Sequence, residues 1–186
     1  EQAAPRRYIQ VLKPMRVEDG YRSVSLEPGP GFSLSFAIDF DNPLVGHQSC
    51  DIRLDVGRFK SDLAYARSFG FIEDVDRLRR MGLARGGSLE NAVVVDGDRV
   101  LNEGGLRYPD EFVRHKALDA LGDLYLAGAP ILGRFCGERS GHALTNQLVR
   151  GLMADKSAWR YVIERDVAMA TVPLRARRSG GARASV

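Results

Sequence analysis

The amino-acid sequence predicts an α+β fold: a two-layer sandwich, β-sheet packed on helices, with a small inserted βαβ-like hairpin element. Three observations lead there. Strand patterns fill the first third of the chain, a helical period takes over near Lys60, and further strands and helices follow in mixed order. At 186 residues the chain is long enough for one core-bearing domain and short for two. Its 44% hydrophobic and 27% charged content are those of an ordinary globular protein. The expected division is one domain over residues 1–170, with the insert at about 69–101, and a tail over 171–186.

Taken in order, Arg7 to Val17 is extended in character. Phe32 to Phe40 alternates almost perfectly and sets Phe32, Leu34, Phe36, Ile38 and Phe40 on one face, as a half-buried strand does. Pro28-Gly29-Pro30-Gly31 before it predicts a turn, and Cys50 to Val56 predicts another strand. Lys60 to Arg67 and Ile72 to Met81 predict helices parted by Phe69-Gly70-Phe71. Ala92 to Val95 predicts a short strand, which Asp96-Gly97 turns back into Arg99-Val100-Leu101. Pro109-Asp110-Glu111 opens a helix with proline early and acids in the first turn. That helix runs to about Ala127 and ends at Gly128. Ile131 to Gly137 predicts a strand, and Gly141 leads into a last helix carrying Leu144, Leu148 and Leu152.

The pI near 9.0 invites a nucleic-acid reading, but the excess charge has an address. From Thr171 onward come Arg175, Arg177, Arg178 and Arg183 and no acids. Setting those four aside leaves 23 basic residues against 24 acidic ones, so the body is close to neutral. With Ser179, Gly180, Gly181 and Ala182 among them, the arginines predict a disordered, solvated tail. A nucleic-acid arm would interleave aromatics, and none occur there, so no nucleic-acid partner is expected. No apolar run reaches the roughly 18 residues of a membrane span, and no signal-peptide pattern is present. Cys50 and Cys136 form no CxxC and predict small buried thiols in a reducing cytoplasm.

Chemistry concentrates on the helix from Pro109. At about 100° per residue, Val113, Ala117, Leu118, Ala120, Leu121, Leu124 and Tyr125 share one apolar arc. His115, Lys116, Asp119 and Asp123 share the opposite one. His115 and Asp119 stand one turn apart, where both reach a single metal ion, and Gly122 beside them leaves room. A solvated helix surface with an ordinary i, i+4 contact shows the same spacing, so the pair alone does not decide. Downstream, Ser140-Gly141-His142 delivers a histidine at a helix start. A helix N-terminus disfavours imidazolium, whereas a carboxylate such as Asp123 favours it and fixes its tautomer, as a general acid requires. The plainer alternative for His142 is a histidine bonded to nearby backbone.

At these residues the chain resembles a known family. Glu111-Phe112-Val113-Arg114-His115-Lys116-Ala117-Leu118-Asp119-Ala120-Leu121-Gly122-Asp123-Leu124 looks like the metal-site helix of the UDP-3-O-acyl-N-acetylglucosamine deacetylases. Ser140-Gly141-His142-Ala143-Leu144, with Leu148 following, resembles their catalytic-histidine segment. The likeness extends to Arg16-Val17-Glu18-Asp19-Gly20, Gly31-Phe32-Ser33-Leu34, Arg67-Ser68-Phe69-Gly70-Phe71 and Arg99-Val100-Leu101-Asn102-Glu103, in matching order from Glu1 to about Val162.

The resemblance implies a cytoplasmic bacterial enzyme of lipid A synthesis that hydrolyses the acetamide of UDP-3-O-acyl-N-acetylglucosamine. It implies His115 and Asp119 as two of three Zn2+ ligands, donors that would also accept Fe2+. His142, oriented by Asp123, would protonate the leaving amine, and Ser68 would help stabilise the oxyanion. Lys116 would face polar or negatively charged parts of the substrate, Phe69 and Phe71 the sugar and chain entrance, and Phe36 the uracil. Gly86-Gly87-Ser88 and Ala92 to Val95, including Val94, would build the acyl-chain passage; an ordinary hairpin packed on a helix would read alike.

Departures matter as well. The family's third zinc ligand, a histidine, and its general base, an adjacent glutamate, belong to an N-terminal half of similar fold. No Glu-His pair exists here, and the spare His47 is expected in a loop outside the site. Arg139 stands where a lysine is common, Asn42 replaces a histidine before Pro43, and Cys136 is unusual in its strand. The implied protein is therefore the C-terminal half of the enzyme, cut before Glu1, which needs its N-terminal half-domain as partner and is inactive alone. The alternative is a catalytically inactive stand-alone module that binds a nucleotide sugar or takes part in an assembly.

Overall fold

A computed structural model describes residues 4–82 and 86–163. The expected tail over 171–186 lies outside them. The main sheet holds seven strands: β1 (Arg7–Val11), β2 (Met15–Asp19), β3 (Arg22–Glu27), β4 (Phe32–Asp39), β5 (His47–Arg53), β9 (Ile131–Glu138) and β10 (Trp159–Ile163). β9 is its hub, parallel to β4 on one side and, on the other, parallel at its start to β1 and then antiparallel to β3. β5 borders β4, β2 borders β3, and β10 borders β1, each antiparallel.

Two helices cover one face of this sheet, α3 (Glu111–Leu124) and α4 (His142–Ala154). The alternation expected of β4 is borne out: Leu34, Phe36 and Ile38 are buried together with Val24, Leu26 and Phe135 from the neighbouring strands. Against them pack Phe112, Val113, Ala117 and Ala120 of α3 and Leu144, Leu148 and Leu152 of α4. Removing such side chains from water stabilises the fold by about 1.5–3 kcal/mol each, and fixes which helix face remains for chemistry. This is the α+β sandwich the sequence predicts. Among the described residues no helix is long and apolar enough to cross a membrane.

The insert forms a separate three-stranded sheet. β6 (Ser68–Phe71) leads through α2 (Ile72–Arg80) to the parallel β7 (Ala92–Asp96), and β8 (Arg99–Val100) returns antiparallel. Gly97 makes the return at a φ of +59°, a left-handed conformation open to glycine. Asn102, almost fully buried, ties the insert together: its amide oxygen accepts from Val94 N, and its NH2 donates to the carbonyls of Leu89 and Ala92. The aromatic rings of Phe69 and Phe71 dock the insert on Phe40 and Phe112.

Several boundaries differ from expectation, each for a tertiary reason. Extended character from Arg7 to Val17 resolves into β1 and β2, separated by Leu12–Pro14. The strand expected over Cys50–Val56 begins at His47, because β5 pairs along the whole of β4, Asp39 opposite His47. His47 is thus a strand residue, not a loop residue. The helix expected over Lys60–Arg67 is α1 (Val56–Asp62), started by Asp55, whose carboxylate accepts from Arg58 N at 2.8 Å. It stops at Leu63, whose φ of −128° leaves the helix, and farther on the Arg67 backbone N–H is donated to Glu111 across the fold. The α3 helix passes into a 3-10 turn over Tyr125–Ala127, closed by Gly128 at φ +86° as expected, but Tyr125 is 55% exposed and lies outside the core. β3 and β10 were not expected. β10 carries the aromatic and β-branched run Trp159-Arg160-Tyr161-Val162-Ile163, a strand signal in itself.

Candidate active site

The site grows from the polar side of α3. Its opposite side is locked in the core, so His115, Lys116, Asp119 and Asp123 must rise from the sandwich on one face, all partly buried. His115 Nε2 lies 3.4 Å from an Asp119 carboxylate oxygen. Zinc bonds of about 2.0–2.1 Å at a tetrahedral angle set neighbouring ligand atoms roughly 3.4 Å apart, so this pair fits two corners of a zinc site. Burial lowers the affinity of His115 for a proton, a lowering that Asp119 opposes and that Lys116 and His142 reinforce. A neutral imidazole is the form that binds metal. The edge of the Phe69 ring packs 6.1 Å from the His115 ring, centroid to centroid, and limits its orientation. Among the described residues no group of three or more His, Cys, Asp or Glu is arranged to hold a metal.

α4 brings His142 to this face, 19 residues beyond Asp123 in sequence. Its Nδ1 lies 2.8 and 3.0 Å from the two Asp123 carboxylate oxygens. Since a carboxylate accepts, Nδ1 carries the proton, and Nε2 is left to exchange one. Nε2 is 3.8 Å from Asp119 Oδ2, and the His142 side chain is 66% exposed, open to a ligand from above. A Cβ on Gly122 would meet nothing within 4 Å, so that side of the helix is open.

Beneath these residues lies a buried ion pair. Glu111, with no exposed surface, accepts from Arg67 N at 2.9 Å, Arg67 Nε at 2.9 Å, an Arg67 terminal nitrogen at 3.0 Å and Arg107 N at 2.6 Å. Burial alone would raise its carboxyl pKa; the guanidinium and the two backbone donors outweigh that and hold it below the usual range. Arg67 immediately precedes Ser68, and Glu111 stands one turn before His115. The pair therefore fixes the start of the insert relative to α3. Sequence reading named both residues within motifs but did not pair them, because neither charge pattern nor spacing links positions 44 apart.

The remaining expected residues divide into two groups. Ser68 is exposed at the start of β6, next to Phe69, and Phe71 joins the Phe40–Phe69 cluster. Gly87 and Ser88 are exposed before β7, while Ala92 and Val94 are half-buried on the face of β7 opposite the fully buried Val93 and Val95. Phe36 needs a correction. It is only 2% exposed, stacked on Phe135 and pressed against Gly137, so its ring belongs to the core and has no surface for uracil.

Phe40, just past the end of β4, lines a pocket of about 600 Å³ together with Asp19, Tyr21, Arg22, Asp39, Lys116 and Arg139. Three cations thus face one cavity beside the His–Asp pair, with Arg139 held 2.5 Å from Asp39. Arg22 and Arg139 come from separate hairpin and loop segments, and of the three only Lys116 was expected to face a substrate. Arg139 has a φ of +48°, the one non-glycine residue in the left-handed region among the described residues.

Fold and site together define an α+β sandwich presenting a His115–Asp119 pair, an Asp123-bonded His142 and an adjoining pocket lined by Arg22, Lys116 and Arg139. The family profile for UDP-3-O-acyl N-acetylglycosamine deacetylase matches residues 1–154. A UDP-3-O-acyl-N-acetylglucosamine deacetylase of Phenylobacterium zucineum is 56% identical over 160 residues, covering 86% of this chain and 55% of that protein. Those of Acidithiobacillus ferrooxidans and Shewanella piezotolerans are 54% and 52% identical over 164 residues, each covering 87% of this chain and 54% of the relative. The chain belongs to the UDP-3-O-acyl-N-acetylglucosamine deacetylase family, and it spans about half the length of the relatives it matches.

Proposed function

We propose that this chain is the C-terminal half of a zinc-dependent deacetylase that converts UDP-3-O-acyl-N-acetylglucosamine and water to UDP-3-O-acylglucosamine and acetate in the bacterial cytoplasm, for lipid A synthesis. The observation that carries the reading is the convergence of two donor pairs on one helix face: His115 with Asp119 at 3.4 Å, and His142 with Asp123 at 2.8 Å. Zinc held by His115, Asp119 and a third ligand from the preceding half would supply a Lewis acid for the acetamide carbonyl and an acidified water. Iron(II) suits the same donors.

Each residue of the chain then has a task. Asp123 accepts from His142 Nδ1, which keeps the imidazolium in place and aims Nε2 outward. His142 Nε2 gives its proton to the departing nitrogen, so the glucosamine leaves as an amine rather than an anion. The hydroxyl of Ser68 donates to the oxyanion as the carbonyl becomes tetrahedral. Arg22, Lys116 and Arg139 neutralise the diphosphate, and Phe40, in place of Phe36, offers the base an apolar wall. Phe69 and Phe71 border the sugar; Gly87, Ser88, Ala92 and Val94 line the way for the acyl chain. The general base and third ligand come from the missing N-terminal half-domain, so the 186-residue chain is inactive alone.

A chimera tests this: the first half of the Phenylobacterium zucineum relative joined to this chain. We expect acetate release that chelation abolishes, that zinc restores, and that His115→Ala eliminates. A folded, zinc-loaded chimera without turnover refutes the deacetylase and leaves the alternative of an inactive binding module.

A further inference from the structure

We propose that Tyr21 is a second aromatic wall of the nucleotide pocket, stacking on the face of the base that Phe40 leaves uncovered; the inference rests on the reading of that pocket given above. Tyr21 occupies the tip of the β2–β3 hairpin and is 89% exposed, the highest value for a large hydrophobic side chain among the described residues. A lone exposed tyrosine is unremarkable on a protein surface. This one lines the same cavity as Arg22, Lys116, Arg139 and Phe40.

The two aromatic residues differ in how they are held. Phe40 packs against Phe69 and Phe71 at centroid distances of 5.6 and 5.9 Å, so it presents a fixed surface. No aromatic or cationic partner engages the Tyr21 ring among the described residues. The backbone beneath it is nonetheless set: Gly20 takes a φ of +59°, Asp19 pairs in register with Arg22, and their side chains form an ion pair. Ordering the ring therefore fixes two side-chain torsions and no loop, a small entropic cost for a large flat contact.

The chemistry of the pocket selects the ligand. Cations from three segments, Arg22 paired with Asp19, Arg139 with Asp39 and Lys116 with Asp119, can turn to a polyanion, and two aromatic residues in the lining suit a planar π-system on the same molecule. A nucleoside diphosphate has both. Base stacking on an aromatic side chain is sequence-tolerant, so Tyr21 adds affinity for the nucleotide while the anion contacts hold the diphosphate.

Calorimetric binding of UDP and of inorganic pyrophosphate to the 186-residue chain, its Tyr21→Ala variant and its Tyr21→Phe variant tests the assignment. We expect Tyr21→Ala to weaken UDP roughly tenfold and to leave pyrophosphate within about twofold, with Tyr21→Phe close to wild type for both. Unchanged UDP affinity in Tyr21→Ala overturns the proposal, as does equal weakening of UDP and pyrophosphate. A Tyr21→Phe variant as weak as Tyr21→Ala assigns the effect to the hydroxyl and overturns stacking. Failure of the wild-type chain to bind either probe refutes the pocket reading itself, a distinct result.

Discussion

Replacing Glu111 by alanine should be among the most damaging single changes in the domain that touch no ligand. The carboxylate has no exposed surface and takes four hydrogen bonds, three from Arg67 and one from Arg107 N. Its removal leaves the Arg67 guanidinium, with a side chain only 9% exposed, to Gly105 O as its sole remaining partner among the described residues. Stripping one partner from a buried ion pair costs about 3–5 kcal/mol. For a domain of this size about 1 kcal/mol moves Tm by roughly 2–4 °C, so the midpoint should fall by about 10 °C. A double replacement, Arg67→Met with Glu111→Leu, should recover most of that loss, because no charge is left stranded.

The same carboxyl predicts a pH dependence. Its pKa in the folded chain lies below the usual glutamate value, so its contribution is complete above about pH 4.3 and is lost as pH falls through the lower folded value. Urea denaturation of wild type, Glu111→Ala and Glu111→Gln across pH 3 to 7 measures both effects. A Glu111→Ala variant within about 1 kcal/mol of wild type at pH 7, or one with an unchanged acid limb, would refute the claim that this pair ties the insert to α3.

Three other outcomes are expected. A Cβ at Gly133 would lie 2.7 Å from the Glu27 carbonyl oxygen and 3.1 Å from a Val11 methyl, so Gly133→Ala should cost about 1–3 kcal/mol in the same denaturation assay. Burial pushes the Cys50 thiol up to about 11; in the folded chain at pH 8 it should alkylate about two orders of magnitude more slowly than a free thiol, by mass-mapped iodoacetamide labelling. In the active chimera, His142→Ala should lower kcat by about 10²–10⁴-fold with KM little changed, whereas an equal loss confined to KM would remove His142 from the proton-transfer step.

What the sequence determined by itself is local. The alternation of Phe32 to Phe40 predicted a core strand, and the period of α3 separated its apolar arc from the face bearing His115, Lys116, Asp119 and Asp123. Sequence motifs also led to the family. These features are legible because 2.0- and 3.6-residue periods relate neighbours along one element. Tertiary structure decided what joins distant elements. Phe36 and Phe40 share one strand face, yet the helices cover the first, while the second lies past the strand's end and borders the pocket. The helix expected to reach Arg67 ended at Asp62, and the Arg67 backbone donor went instead to Glu111 across the fold. Asp123 meets His142, and Arg22 meets Lys116 and Arg139, only once β9 lies between β3 and β4 and α4 packs beside α3. Such meetings depend on how buried surfaces close over one another, and a one-dimensional pattern carries no measure of that closure.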